Sequence, residues 1–281
     1  MKRILTIQDI SCFGKCSITI ALPVISAMGV ETAVLPTAVL STHTMFTDYR
    51  KKDLTDTLLP FAEQWKDNGI TFDAIYTGYL GTLDAAEAAV KVVELLRRDD
   101  TLVFVDPVIG DHGKPYAGIG REYTACLDRL ASMADHIVPN ITEACLMTGS
   151  EYRAEYDQEC IDGLAREICR SGARSCVVTG VSFAQNTTGF YGFDKRAGKA
   201  FSYQNSKIEA SYHGTGDLFA STAVGALVLG MSPDKAFRTA ADFTALTIAE
   251  TMRRSEDRRF GICFETVLPA LLGMLEENLK K

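Results

Sequence analysis

A chain of 281 residues that is 47% hydrophobic and 23% charged can bury a full core and lacks the composition of a disordered segment. Its net charge of −7, with basic residues scattered rather than banked, excludes a phosphate-backbone footprint, so nucleic acid is set aside as a partner. Eight cysteines without a C-x-x-C pair, a first apolar run too short for a signal peptide, and no run approaching a membrane span read as a soluble, cytoplasmic protein.

Along the chain, strand-like runs alternate with helical patterns, which predicts a mostly parallel sheet wrapped by helices, an α/β fold. Ile4 to Ile7 is a strand and Ser17 to Met28 a helix ending at Gly29; Thr32 to Pro36 is the next strand, followed by a polar loop through Ser41-Thr42-His43-Thr44. Asp53 to Lys66 carries Leu54, Leu58, Phe61 and Trp65 at helical spacing, so Trp65 is read as packing. Ala74 to Thr77 is a strand closed by Gly78-Tyr79-Leu80-Gly81, and Leu83 to Arg98 a helix.

Thr101 to Val105 runs into Asp106-Pro107-Val108-Ile109-Gly110-Asp111, where proline ends the strand because it cannot donate to the ladder. Gly113 to Gly120 has the composition of a flap; Leu127 to Met133 leads to a strand at His136 to Val138 and then to Pro139-Asn140-Ile141-Thr142-Glu143. Asp162 to Ser171 is helical and Ser175 to Val178 a strand ending at Thr179-Gly180; Thr188 to Phe193 and Ala200 to Gln204 form an antiparallel edge hairpin. Pro233 to Met252 and Phe264 to Lys280 are closing helices, and the lack of a repeat or a Pro/Gly/Ser-rich linker favours one domain over residues 1–281.

In an open parallel sheet the C-terminal strand ends share one rim, where ligands bind. Here those ends carry Asp9, Thr37, Gly78-Tyr79, Asp106, Asn140 and Thr179-Gly180. Asp106, Asn140 and Glu143 are oxygen donors suited to a hydrated Mg²⁺. Asn140 and Glu143 also have the spacing of a capping box, and Asp106-Pro107 could simply end a strand; cap and metal contact can coexist. His43 lies in a loop that covers the same rim, although a lone histidine is more often a packing residue than a catalyst. Gly-x-x-x-x-Gly-Lys-Ser/Thr is absent, as is Gly-x-Gly-x-x-Gly after the first strand, which counts against a P-loop ATPase and a nicotinamide enzyme.

His213-Gly214-Thr215-Gly216-Asp217 precedes a small, apolar run from Leu218 to Leu227. Two glycines allow a tight turn, and the run opens a buried helix whose first amides suit a phosphoryl group in flight. Asp217 on the first turn can hold an attacking hydroxyl, with a pKa expected to be low; the plain alternative is an acidic helix start.

Taken together these segments resemble the ribokinase-like superfamily, and within it the vitamin B6 kinases. Gly214-Thr215-Gly216-Asp217 and Asp106-Pro107-Val108 carry the superfamily likeness; Ser41-x-His43-Thr44 with Gly78-Tyr79-Leu80-Gly81 carries the narrower one. The resemblance implies a three-layer α/β/α sandwich with a mostly parallel central sheet and an antiparallel edge hairpin. It implies Asp217 as catalytic base, and the Gly214, Thr215 and Gly216 amides as an anion hole. Asp106 and Glu143 would serve Mg²⁺, with Asp111, Asn140, Glu143, Thr179, Gly180 and Gly216 at ATP; His43, Thr44 and Tyr79 would surround the pyridine ring. Gly113 to Gly120 would be the lid.

Such enzymes are typically cytoplasmic homodimers using ATP with Mg²⁺, often helped by K⁺. Family members usually have Ser where Asp9 stands and Gly-Asn where Ser17-Ile18 stand. Asp9 is therefore expected to pair with a protonated ring nitrogen or an amine of the substrate. The implied activity is phosphorylation of the 5′-hydroxymethyl of pyridoxal, pyridoxine or pyridoxamine. Hydroxymethylpyrimidine kinase is the alternative within the fold, and a nucleotide-responsive binding protein without turnover the alternative outside catalysis.

Overall fold

The computed structural model describes residues 1–210, 212–254 and 257–279. The first half contains β1 (Arg3–Ser11), α1 (Ile18–Ala27), β2 (Glu31–Leu40), β3 (Lys51–Asp53), α2 (Thr55–Asp67), β4 (Ala74–Thr77), α3 (Leu83–Leu96) and β5 (Leu102–Val105). A small hairpin, β6 (Gly110–Asp111) and β7 (Lys114–Pro115), then leads to α4 (Arg121–Met133), β8 (His136–Ile137), α5 (Ile141–Thr148) and α6 (Gln158–Arg170). β9 (Ser175–Val181), β10 (Thr187–Asp194), β11 (Lys199–Ser206), α7 (Thr215–Val228), α8 (Pro233–Arg254) and α9 (Leu268–Leu279) complete the described chain.

Among the described residues nine strands form one sheet in the order β11-β10-β9-β8-β5-β4-β1-β2-β3. The inner pairs from β2 to β9 are parallel, whereas β3, β10 and β11 run antiparallel to their neighbours. Ile4 to Asp9 of β1 are all buried, as expected for a parallel strand covered on both faces. One core layer unites the sheet with α2 to α6; the other unites it with α1, α7, α8 and α9. This is the expected three-layer sandwich with its antiparallel edge hairpin.

Phe237 of α8 anchors the second layer, its ring 5.9 to 6.3 Å from those of Phe104, Phe190, Phe201 and Phe219. Removing so large a buried ring would cost about 3–5 kcal/mol. The cluster fixes α7 and α8 against the strands and so sets where α7 begins. Trp65 packs edge-on against Phe72, with centroids 5.8 Å apart, in keeping with a packing role.

Several elements differ from the sequence expectation. β2 runs on through Pro36 to Leu40 and is met by the edge strand β3, which the charged Lys51-Lys52-Asp53 does not advertise as a strand. The register of β1 with β2 slips between Gln8 and Ile10, so Asp9 falls in a bulge, a device that re-aims a side chain. α4 starts at Arg121, ahead of Leu127, and the short α5 follows Asn140. The helix expected from Phe264 is broken into a 3-10 turn, Phe264–Thr266, and α9. Pro269 explains the break, because a ring there clashes with the preceding turn if the helix is continuous; Lys280 lies outside the described residues. No helix among the described residues is long and apolar enough to cross a membrane.

Candidate active site

α7 is preceded by Gly214, which adopts the left-handed φ of 90°. A Cβ at that position would stand 2.4 Å from the Lys15 carbonyl oxygen and 2.6 Å from Ile20 Cδ1, so only glycine fits. The first amide in the helical ladder is Leu218, donating to the Gly214 carbonyl at 2.9 Å. The amides before it have no intrahelical partner, which leaves the N-terminus as a cradle for negative charge. Gly216 has nothing within 4 Å of where its Cβ would be, so the cradle faces open space.

Asp217 lies on this first turn. Its carboxylate is shielded although an edge of the residue reaches solvent. Burial pushes its pKa up to about 6; the nearby Ser17 backbone N–H opposes the rise, and the charge of Asp9 adds to it. The low value expected from the helix start is thus corrected: loss of hydration outweighs the helix dipole and the one amide. A carboxylate of pKa near 6 is a better proton acceptor than an ordinary aspartate and is still mostly ionised at neutral pH.

Ser17 is held at φ 48° and ψ −128°, a conformation that L-residues avoid. Its hydroxyl and that of Ser11 hydrogen-bond the buried Asp9, whose pKa burial raises. Tyr79, on the turn after β4, is half-buried beside Asp9, and burial followed by the Asp9 charge raises its phenol.

On the other side of Asp217 lie Asp106 and Glu143, both buried. Glu143 and Asn140 form a capping box at α5. Glu143 Oε2 accepts from the Asn140 N–H at 2.8 Å and Asn140 Oδ1 from the Glu143 N–H at 2.9 Å. Glu143 Oε1 accepts from Ile109 N–H at 3.0 Å, and Asn140 Nδ2 donates to the Gly110 carbonyl at 2.9 Å. The cap thereby ties the 106–110 turn to α5. Burial raises Asp106 well above the carboxylate range, reinforced by Glu143 and Asp217 and opposed by the Val108 amide. Val108 holds φ 45°, a strained value for a β-branched residue, in the turn that delivers that amide.

Asp106 feels the charges of both Glu143 and Asp217, and carboxylates so placed fit a divalent cation, which would favour their charged forms. Among the described residues no group of three or more His, Cys, Asp or Glu side chains is close enough to cage an ion. Mg²⁺ held by one or two carboxylates, water and phosphate oxygens needs no such cage.

The segment Gly113 to Gly120, expected to be a flap, contributes β7 to the β6–β7 hairpin and then the turn before α4; Gly113 N–H donates to Thr142 Oγ1 at 2.9 Å and Tyr116 N–H to the Ile109 carbonyl at 2.9 Å. Tyr116, which follows β7, is 39% exposed, and its phenol is raised by partial burial and then by the charges of Glu143, Asp111, Asp106 and Asp217, so the field of the carboxylates reaches it. Nothing in the sequence singled it out. Asp111 is exposed and accepts from the His112 N–H at 2.8 Å. Thr179 bridges Asn140 in parallel register, and the exposed Gly180 follows at φ 73°.

His43 is buried, with Nδ1 accepting from Met45 N–H at 3.3 Å and Nε2 donating to the Arg259 carbonyl at 2.7 Å. Its ring lies 4.3 Å from that of His213. Both nitrogens are engaged by backbone, so His43 ties the 41–46 loop to the turn after α8 at Arg259, with the His213 ring beside it, rather than offering a free ring atom. Thr44 beside it is exposed.

The chain belongs to the phosphomethylpyrimidine kinase family, whose pattern it matches over residues 6–259. It is similar to pyridoxal kinase from Lactobacillus plantarum, with a TM-score of 0.90 and 30% identity over 99% of each chain. A Bacteroides thetaiotaomicron protein whose crystal structure contains pyridoxal superposes with a TM-score of 0.91 at 33% identity, over 96% of this chain and 95% of that one. The Dictyostelium discoideum pyridoxal kinase is 25% identical over 242 residues, 79% of this chain and 77% of that protein. Within the family, then, it falls among the pyridoxal kinases of the ribokinase-like superfamily.

Proposed function

We propose that this protein transfers the terminal phosphoryl group of ATP to the 5′-hydroxymethyl of a vitamin B6 vitamer. The observation that carries the reading is Asp217, a carboxylate with a pKa of about 6 on the first turn of a helix whose amide cradle opens beside it. The family and the pyridoxal seen in a relative at 33% identity give the acceptor.

In this reading the alcohol docks between Tyr79, Asp9 and Asp217. Asp217 holds its O–H and accepts the proton as the oxygen engages phosphorus. The amides of Gly214, Thr215 and Gly216 stabilise charge on the transferring group. Asp106 and Glu143 would hold Mg²⁺, which would neutralise phosphate charge. Asn140, Thr179, Gly180 and Asp111 border the nucleotide, with Tyr116 of the hairpin covering it. Asp9 favours a protonated ring nitrogen or amine. Cytoplasmic location, a homodimer and help from K⁺ accompany this reading through the family resemblance.

The test is ATP consumption with Mg²⁺ and each alcohol in turn: pyridoxal, pyridoxine, pyridoxamine and hydroxymethylpyrimidine. Turnover of the B6 alcohols supports the reading. Turnover of the pyrimidine alone moves the protein to the second reading that its family description favours, and ligand binding with no turnover leaves a binding protein.

A further inference from the structure

Lys51 has no part in the phosphoryl-transfer machinery, yet its ammonium stands over the same rim. It sits on β3, opposite Leu40 of β2. Its Nζ lies 3.6 Å from the point where a Cβ on Gly81 would be, and Tyr79 Cε1 is 3.5 Å from that point. The side chain therefore reaches from the sheet edge to the turn after β4, and β1, bearing Asp9, lies between those strands.

The ion pair that Lys51 makes with Asp53 is loose, at 3.8 Å, and Asp53 also accepts from the Thr55 N–H at 2.9 Å. Asp9 forms no ion pair among the described residues, although the field of Lys51 reaches it. A long ammonium and a buried carboxylate, near each other but unpaired, mark two poles for a ligand that carries both charges. In a 3-hydroxypyridine, protonation of the ring nitrogen acidifies the hydroxyl, giving a pyridinium and a phenolate on one ring. A hydroxymethylpyrimidine has no such oxygen.

Resting on the B6 reading above, we propose that Lys51 is a specificity-determining residue that binds the 3-oxygen of the pyridine ring while Asp9 binds the ring nitrogen. Together they select the zwitterionic ring. Lys51 thereby separates a B6 alcohol from a pyrimidine alcohol of similar size, since the ammonium gains a charge-assisted hydrogen bond only from the former.

The experiment compares the full chain with Lys51→Met and Lys51→Arg, using pyridoxine and its 3-deoxy analogue. Absorbance of bound pyridoxine without ATP reports whether the ring is zwitterionic or neutral. Relative to wild type, Lys51→Met lowers the ratio of kcat/KM for pyridoxine over the analogue by about tenfold or more, through KM. It also shifts the bound spectrum toward the neutral ring, and Lys51→Arg restores most of both. An unaltered ratio and spectrum in Lys51→Met, or equal losses on both substrates, overturn the assignment while wild-type turnover of pyridoxine leaves the kinase reading standing. A wild type that phosphorylates no B6 alcohol overturns the kinase reading itself, and this assignment with it.

Discussion

The backbone N–H of Ser17 favours the charged form of the Asp217 carboxylate, linking the residue that precedes α1 to the first turn of α7. Ser17 holds a positive φ, so the catalytic candidate is supported by backbone that is itself strained.

Ser17→Gly relieves that strain and keeps the amide, losing the hydroxyl's interactions with Asp9 and Cys16. Urea unfolding is expected to show a gain of about 1 kcal/mol, the surplus of ~1–3 kcal/mol of relief over a hydrogen bond worth ~1. Ser17→Ala loses the same interactions without relief and is less stable than wild type. The reverse ranking would mean that the backbone here is not under strain.

Asp217→Asn is expected to lower kcat by about 10² to 10⁴-fold with KM little changed, read by steady-state ATP turnover. In wild type, kcat/KM falls as pH drops through about 6, where the carboxylate takes up its proton. The stability sign is the opposite of an ordinary salt-bridged aspartate. The folded pKa lies above the reference value of 3.8, so the native state favours the protonated form; stability declines as pH rises from about 4 to 6 and then levels off. Asparagine mimics the protonated form. The variant therefore gains up to about 3 kcal/mol at pH 8 and nothing below about pH 4, as denaturant melts at both pH values would show.

The two glycines of the turn separate folding from chemistry. Gly214→Ala places a methyl group against Lys15 and Ile20 at a φ of 90°. It is expected to destabilise by about 2–3 kcal/mol or more. Gly216→Ala meets nothing, so its melting temperature stays close to wild type while kcat falls, because the methyl group intrudes on the phosphate cradle. Equal effects of both on stability would place the cradle elsewhere.

Glu143→Gln tests the shared duty of the cap. Each carboxylate oxygen accepts a backbone N–H, from Ile109 or from Asn140, and an amide can accept only one of them. The facing donor is left unpaired in a buried place, a cost of about 1–3 kcal/mol in thermal or urea unfolding. The Mg²⁺ concentration needed for half-maximal turnover is expected to rise as well. A stability loss without that rise would restrict Glu143 to capping.

Much of the architecture could be read from the sequence because the parallel strands are short apolar runs closed by polar residues, as in Ala74 to Gly78 and Leu102 to Asp106. That pattern also gathered Asp9, Asp106 and Asn140 at one rim, with Asp217 entering from the later connection that opens α7. β3 was not legible, since Lys51-Lys52-Asp53 has no apolar alternation and owes its extended form to pairing with β2. Nor was Tyr116, which comes within the field of the carboxylates only because the β6–β7 hairpin folds back. The raised pKa of Asp217 escaped because burial belongs to the tertiary surroundings, whereas a helix start is visible in the chain. The engagement of His43 Nε2 depends on Arg259, far along the sequence.

The margins of the sheet bear on how copies of the chain can meet. β3 is three residues long and charged throughout, whereas β11 at the opposite margin is eight residues long, with Lys199, Ser202 and Ser206 exposed. A short, charged outer strand makes a poor template for another chain's backbone. Strand-by-strand accretion is therefore discouraged at the β3 margin, and any pairing of copies through the sheet is left to β11.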